Sequence, residues 1–182
     1  LGMVIVYGIS TLFSISPRAS LLGGYQRLQG LYTTLSYLVV FAAMATNLRK
    51  RSQIDRLVSV IILTSLPISL YGILQRYRID PVPWAGDVIN RVASNMGNAI
   101  FVAAYLIMVS PFTIIRIFDV FEAILRENAD KEHPSGLWVR VVQATVYIFI
   151  AALQLIALYL SGSRGPWLGW LAGLFFLFVL LS

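Results

Sequence analysis

The sequence has no cysteine and only one histidine, and charged residues make up only 12% of its 182 residues. The lack of cysteine excludes a disulfide-rich secreted fold. A soluble domain carries about 25% charged residues, so this chain has too few charges to cover the surface of a soluble enzyme. Its 58% hydrophobic content excludes a disordered chain. The composition therefore indicates an integral membrane protein.

The few charges separate six uncharged runs of 17 to 24 residues. A hydrocarbon core about 30 Å thick requires roughly 20 apolar helical residues, so each run is about the length of one transmembrane helix. Segments such as LFFLFVLL (174–181) lack the alternation of a membrane β-strand. The sequence therefore predicts an all-α fold, a polytopic transmembrane helix bundle in one domain (1–182). We place its six spans near 1–15, 31–47, 57–75, 98–115, 140–160 and 166–182.

Both ends of the sequence fall inside apolar segments. Leu1 has no basic residues before it, unlike the apolar core of a signal peptide, and Ser182 closes another apolar run. We expect the sequence to be an internal piece of a longer membrane protein, truncated at both ends.

The loops on the two sides of the predicted bundle differ in charge. A compact basic cluster, Arg49, Lys50 and Arg51, favours the cytoplasm for the side that it shares with loop 116–140. The opposite, outer side has no lysine, two aspartates and six arginines, which are Arg18, Arg27, Arg76, Arg78, Arg91 and Arg164. An arginine binds phosphate or carboxylate through two parallel donors, which lysine cannot do. This side is therefore a candidate surface for an anionic ligand, and the alternative is that its arginines extend to lipid headgroups.

Residues 116–133 carry apolar side chains at helical spacing, with charges on the other face. This pattern predicts a cytoplasmic amphipathic helix on the membrane surface, and the alternative is an extension of the preceding span. His133, the single histidine, lies in a charged stretch next to a proline, and we interpret it as a solvated loop residue.

The short turn SGSRG (161–165) joins two of the predicted spans. Pro166 is typical of the first turn of a helix, and Ser163 or Gly165 is suited to cap that helix. A helix amino end beside Arg164 would attract an anion, because its free N–H groups and its dipole both present positive charge. The outer side has no group of carboxylates that could hold a metal, so we predict neither a metal nor a cofactor.

Three segments together resemble the O-antigen ligase and polymerase family. They are SGSRGPWLGWLAG (161–173), ILQRYRIDPVPW (73–84) with RVASNMGNAIFVAAYLIMVSP (91–111), and SPRASLLGGYQRLQGLYTTLSY (16–37). The similarity extends over about 16–175. One difference is that Gly97-Asn98-Ala99-Ile100 stands where the family often has Gly-Asn-Pro-Asn.

The resemblance implies a membrane glycosyltransferase with a GT-C-like fold when complete, located in the bacterial cytoplasmic membrane with the arginine-rich face outward. Such enzymes transfer glycan from an undecaprenyl diphosphate carrier to a lipid or polysaccharide acceptor, without a metal. By position, Arg164 matches the family's Ser-Arg-Gly arginine and is the first candidate for binding the diphosphate, followed by Arg91, with Arg18 and Arg27 as further contributors. The family's catalytic histidine lies in a later outer loop, so the catalytic residue here is unknown.

Two other functions remain open at the level of sequence. A transporter of lipid-linked substrates usually has charges near the membrane midplane, whereas the charges here lie at the ends of spans. A structural or accessory subunit of a larger membrane complex would use the arginines to pair with lipid or a partner. The expected partners are membrane lipid and the lipid-linked glycan, and not nucleic acid.

Overall fold

The computed structural model describes residues 2–24, 29–82, 84, 86–129 and 136–181. These residues form seven α-helices and a 3₁₀ turn (Ser94–Met96), with no β-strand among them, which confirms the all-α fold. The helices are α1 (Gly2–Leu12), α2 (Pro17–Leu22), α3 (Leu31–Asn47), α4 (Arg51–Arg76), α5 (Ala99–Ala129), α6 (Leu137–Leu160) and α7 (Arg164–Leu181). The chain divides into two compact units, Leu1–Asp55 and Arg56–Ser182.

Three helices in the described part of the chain, α4, α5 and α6, are long and apolar enough to cross a membrane. They occupy three of the six predicted spans. Helices α1, α3 and α7 occupy the other three positions and are apolar but shorter. At 1.5 Å per residue, the 11 residues of α1 extend about 17 Å, well short of a hydrocarbon core about 30 Å thick. For these three helices, crossing the membrane stays a prediction.

The first unit packs α1, α2 and α3 against one another. Helix α2 lies in the loop between the predicted spans 1–15 and 31–47. It begins at Pro17, where a missing N–H costs no helical hydrogen bond. Gly30 directly precedes α3, and a Cβ at this position would overlap the Leu21 carbonyl oxygen. Only glycine therefore fits this approach between α2 and α3.

The second unit is built around α5. The amino-terminal part of α5 packs against the carboxyl-terminal part of α6, so these two helices are antiparallel. The buried cluster between them contains Val102, Ala103, Leu106, Ala157 and Leu158, and two tryptophans of α7 pack against it. A second buried cluster joins α4 to α5 and α6 through Ile62, Val109 and Ile150.

Buried hydrogen bonds also connect these helices. The Gln154 amide nitrogen on α6 donates to the Ser65 hydroxyl on α4 at 2.7 Å and to the Thr113 hydroxyl on α5 at 3.0 Å. Trp170 on α7 donates its indole N–H to the Ser110 hydroxyl on α5 at 2.8 Å. Between apolar helices, where packing gains little from water exclusion, such bonds help to fix which helices associate.

Helix α5 continues through the segment for which the sequence predicts a separate amphipathic helix. It is one helix of 31 residues, so residues 116–129 extend the preceding span, which is the alternative interpretation. The physical reason is that residues 116–133 contain no proline or glycine that would end the helix. Phe118 and Leu125 are exposed on this extension. Residues 130–133, including His133, lie outside the described residues.

We expect Gln154→Ala to lower the free energy of unfolding by about 1–3 kcal/mol, because it removes both interhelical bonds and leaves a void. Reversible unfolding in detergent micelles measures this change. Gln143→Ala is the matched control, since Gln143 is exposed on the same helix, and its effect should stay within about 0.5 kcal/mol. Equal effects of the two substitutions would contradict a structural role for the Gln154 bonds.

Candidate anion-binding site

The candidate site lies at one end of the second unit. Helices α4 and α6 end there and α5 and α7 begin there, and the segment 77–98 connects α4 to α5. The Val92 N–H donates to the Leu160 carbonyl oxygen at 3.2 Å, which ties this segment to the last turn of α6. Val92 and Ser94 thus pack this segment onto the ends of α6 and α4.

Ser94 attaches the segment to α4. The Gln75 side chain accepts a hydrogen bond from the Ser94 N–H at 2.7 Å and donates one to the Ser94 carbonyl oxygen at 3.2 Å. The Ser94 hydroxyl donates to the Ile68 carbonyl oxygen at 2.7 Å. Ser94 is fully buried with a φ of 49°, a left-handed conformation that is uncommon for a residue other than glycine. These bonds hold that conformation.

A close approach between Val92 and Gly72 places the segment directly on α4. A Cβ at position 72 would lie 2.5 Å from Cγ1 of Val92, which is fully buried. Gly72 is therefore required by packing, although glycine inside a helix costs about 1 kcal/mol relative to alanine.

The Arg91 side chain lies across the turn between α6 and α7. Its Nε donates to the Ser161 carbonyl oxygen at 3.4 Å, and its Nη2 donates to the Ser163 hydroxyl at 3.3 Å. Gly162 passes beneath it with a φ of 61°, and a Cβ there would lie 3.7 Å from Arg91 Cγ. Residues 70 or more apart in the sequence thus meet at this turn.

Arg164 is the first residue of α7 and is exposed. Helix α7 begins directly after Ser163, as predicted, and the Ser163 carbonyl oxygen accepts the Trp167 N–H at 3.4 Å. Among the described residues, none forms a hydrogen bond or ion pair with the Arg164 side chain. The guanidinium therefore stands beside the positive end of the α7 dipole, where both favour an anion.

Two of the four predicted site arginines lie at the 161–164 turn of the second unit. Arg91 bonds to Ser161 and Ser163, and Arg164 is the next residue. Arg18 lies in α2 of the first unit, and Arg27 lies outside the described residues. No group of three metal-ligating side chains occurs in the described ranges.

Sequence reasoning missed a hydrogen-bond network around Asp80. One oxygen of its carboxylate accepts the Tyr71 hydroxyl and the Trp84 indole N–H, both at 2.7 Å, and the other oxygen accepts the Val82 N–H at 3.0 Å. Partial burial raises the pKa of Asp80, but the bonds from Tyr71, Val82, Trp84 and Gln75 outweigh it and hold that pKa below its ordinary value. Part of this network could have been recognised in the sequence, because Val82 and Trp84 follow Asp80 by only two and four residues.

The low pKa of Asp80 predicts how the packing of this loop depends on pH. The carboxylate stabilises the fold fully above its unfolded pKa of about 3.9, and this contribution is lost as the pH falls through the lower, folded pKa. We therefore expect amide hydrogen exchange in residues 77–92, corrected for its intrinsic pH dependence, to stay constant between about pH 5 and 8 and to accelerate only below about pH 4.

Asp80→Asn should accelerate exchange in this loop already at pH 7, because an amide has only one acceptor oxygen and its NH₂ would face either the Val82 N–H or the Tyr71 and Trp84 donors. Asp119→Asn is the control, because Asp119 is an exposed residue of α5 that pairs with Arg116. Unchanged exchange in Asp80→Asn would contradict the role assigned to the carboxylate.

No protein-family model, curated protein or solved structure matches this chain. Membership of the O-antigen ligase and polymerase family therefore stays a prediction from the residues that resemble it. The function of the chain has to be inferred from the geometry and chemistry of the site itself.

Proposed function

We propose that this chain is part of a membrane glycosyltransferase of the O-antigen ligase type. The enzyme transfers glycan from an undecaprenyl diphosphate carrier to a lipid or polysaccharide acceptor. The reaction takes place at the outer face of the bacterial cytoplasmic membrane, and the described end of the second unit binds the diphosphate.

The observation that supports this proposal most is the contact between the Arg91 side chain and the turn that precedes Arg164. The two Arg91 hydrogen bonds end on Ser161 and Ser163, and Arg164 is the next residue. Two arginines and the amino end of an 18-residue helix therefore lie at one turn. A phosphate group is the ligand that such an arrangement favours most.

The same arrangement suits the chemistry of glycan transfer. Breaking the bond between a sugar and a diphosphate leaves negative charge on the departing phosphate. Fixed donors that are aimed at this charge stabilise the transition state more than the ground state. Arg164, which has no protein partner among the described residues, can form a two-donor contact with the phosphate, while Arg91 adds positive charge and holds the turn in place.

The acceptor hydroxyl also needs a base, and neither arginine serves as one. The single histidine of the chain, His133, belongs to the connection between α5 and α6, whereas the site lies where α6 connects to α7. We therefore assign this region the binding of the donor and the stabilisation of its leaving group. The base is assigned to another part of the enzyme.

The charge distribution supports an outward-facing site. The cluster Arg49, Lys50 and Arg51 lies at the start of α4. Arg76 is the last residue of that helix, and Arg78 and Arg91 follow it. If the compact basic cluster faces the cytoplasm, α4 carries the chain outward, and the Arg91 and Arg164 turn faces the outside.

A second candidate function is that of an accessory transmembrane subunit. It is favoured by the fact that the Arg91 side chain bonds to this chain's own turn, at Ser161 and Ser163, as it would if Arg91 only stabilised the α6–α7 connection. In that case Arg91 substitutions would lower stability, and Arg164 substitutions would leave transfer intact.

For the glycosyltransferase, we expect Arg164→Ala in the full-length protein to lower the rate of glycan transfer by about 10²–10³-fold, which is the usual loss when one transition-state donor is removed. Arg164→Lys should recover only part of this rate, because lysine keeps the charge but loses the paired donors. Transfer from a lipid-linked donor in proteoliposomes measures both effects.

Arg126→Ala is the matched control, because Arg126 is an exposed arginine near the other end of α5 that pairs with Glu122. Its rate should change by no more than about twofold. Full activity of Arg164→Lys would contradict a paired contact to phosphate. Full activity of Arg164→Ala would favour the accessory subunit instead.

A further inference from the structure

A cleft of about 250 Å³ lies beside the end of α4. None of its lining residues belongs to the arginine turn, by which we mean the turn 161–164 together with Arg91. Its walls include the side chains of Arg78, Asp80, Trp84 and Asp87, together with apolar residues of the same loop. Small-molecule sites are usually of about 300–1,000 Å³ and combine apolar walls with a few fixed polar groups. This cleft has that composition and is the size of a single small ring.

Trp84 supplies a fixed aromatic wall. Its indole N–H is held by the Asp80 carboxylate at 2.7 Å, and the same oxygen accepts the Tyr71 hydroxyl at 2.7 Å. The edge of the indole is thereby engaged by the protein while the half-buried ring lines the cleft. The face of an aromatic ring is electron-rich and attracts polarised C–H groups, such as those on the flat side of a sugar ring.

Two carboxylates supply acceptors. Hydrogen bonds donated by the Asn90 backbone and side chain hold the pKa of Asp87 below its ordinary value, so it is ionised at neutral pH, as is Asp80. Ionised carboxylates accept hydrogen bonds from sugar hydroxyls. The cleft has two acids and one arginine in its wall, and Arg76 bonds to the Ile89 carbonyl oxygen beside it, so the charges nearly balance. This distinguishes the cleft from the positively charged arginine turn.

Arg78 supplies a donor, and its backbone shows an unusual feature. Helix α4 ends in a Schellman motif, in which the Arg78 N–H donates to the Gln75 carbonyl oxygen and the Ile79 N–H donates to the Leu74 carbonyl oxygen. The residue at the Arg78 position is usually glycine, because its φ is positive, and here the φ is 59°. The exposed guanidinium has no hydrogen bond or ion pair with the described residues. An arginine at a glycine position that also lines a cleft indicates a role for its side chain.

We propose that this cleft binds one neutral sugar unit. The sugar ring stacks on Trp84, its hydroxyls donate to Asp80 and Asp87, and Arg78 donates to one of its oxygens. The choice of a glycan as the natural ligand rests on the proposed function. The aromatic wall, the acceptors and the donor come from the cleft itself.

The test measures sugar binding by the full chain in lipid nanodiscs. The probes are the methyl glycosides of glucose, galactose, mannose, rhamnose and N-acetylglucosamine, and saturation-transfer difference NMR reports their contact with the protein. We expect at least one to bind saturably, with a midpoint on the order of 1 mM, as is usual for so small a ligand.

Two variants test the assigned residues. Trp84→Ala should weaken binding by about tenfold through loss of the stacking face. Arg78→Gly should weaken it by about tenfold or more through loss of a charged donor, while the Tm stays the same or rises, because glycine is favoured at a positive φ. Trp138→Ala is the control, since Trp138 is exposed at the start of α6, and it should bind like the wild type.

The outcomes separate this proposal from the proposed function. No saturable binding of any probe, or equal binding by wild type and both cleft variants, would overturn the sugar site even if transfer depends on Arg164. A parallel fall in Tm and binding in Arg78→Gly would also overturn it, since the role of Arg78 would then be structural. Sugar binding that depends on Trp84 and Arg78 would support the site even if Arg164→Ala leaves transfer intact.

Discussion

The side chain of Gln75 holds both backbone groups of Ser94, and the placement of the candidate site depends on this pair of bonds. They fix a buried serine in a left-handed conformation and so bring the preceding residues onto the ends of α4 and α6. Val92 then packs against Gly72 and bonds to the end of α6, and Arg91 extends over the 161–163 turn. Without this attachment, nothing local in the sequence would bring Arg91 near Arg164.

The described end of the second unit contains two chemically different surfaces. Positive charge dominates at the α6–α7 turn, where Arg91, Arg164 and the α7 amino end present donors. In the cleft beside α4, Asp80 and Asp87 supply acceptors and Trp84 an aromatic wall. A donor molecule that joins a diphosphate to a sugar contains groups that suit both surfaces. The proposed function and the proposed sugar site are thus chemically compatible, although each depends on different residues.

Much of the fold could be predicted from the sequence, because hydrophobicity and helix ends are local properties. The uncharged runs predicted the positions of α4, α5 and α6, and the sequence around Pro166 predicted that α7 begins beside Arg164. The contacts of Arg91 could not be predicted, since they join residues 70 or more apart through the Ser94 attachment. The Asp80 network was missed because its Tyr71 and Gln75 donors are on α4 while Val82 and Trp84 are in the loop. The separate amphipathic helix was a wrong expectation, since helical spacing cannot distinguish a new helix from the continuation of α5.

The central claim is that Arg91 and Arg164 act together on one diphosphate, and a double-mutant cycle tests it most directly. The affinity of an undecaprenyl diphosphate analogue is measured for wild type, Arg91→Ala, Arg164→Ala and the double variant, each in nanodiscs. The account predicts that both single variants weaken binding and that their effects are coupled by about 0.5–3 kcal/mol, as is usual for residues that share a partner. Wild-type affinity in both single variants, or losses that simply add, would contradict it.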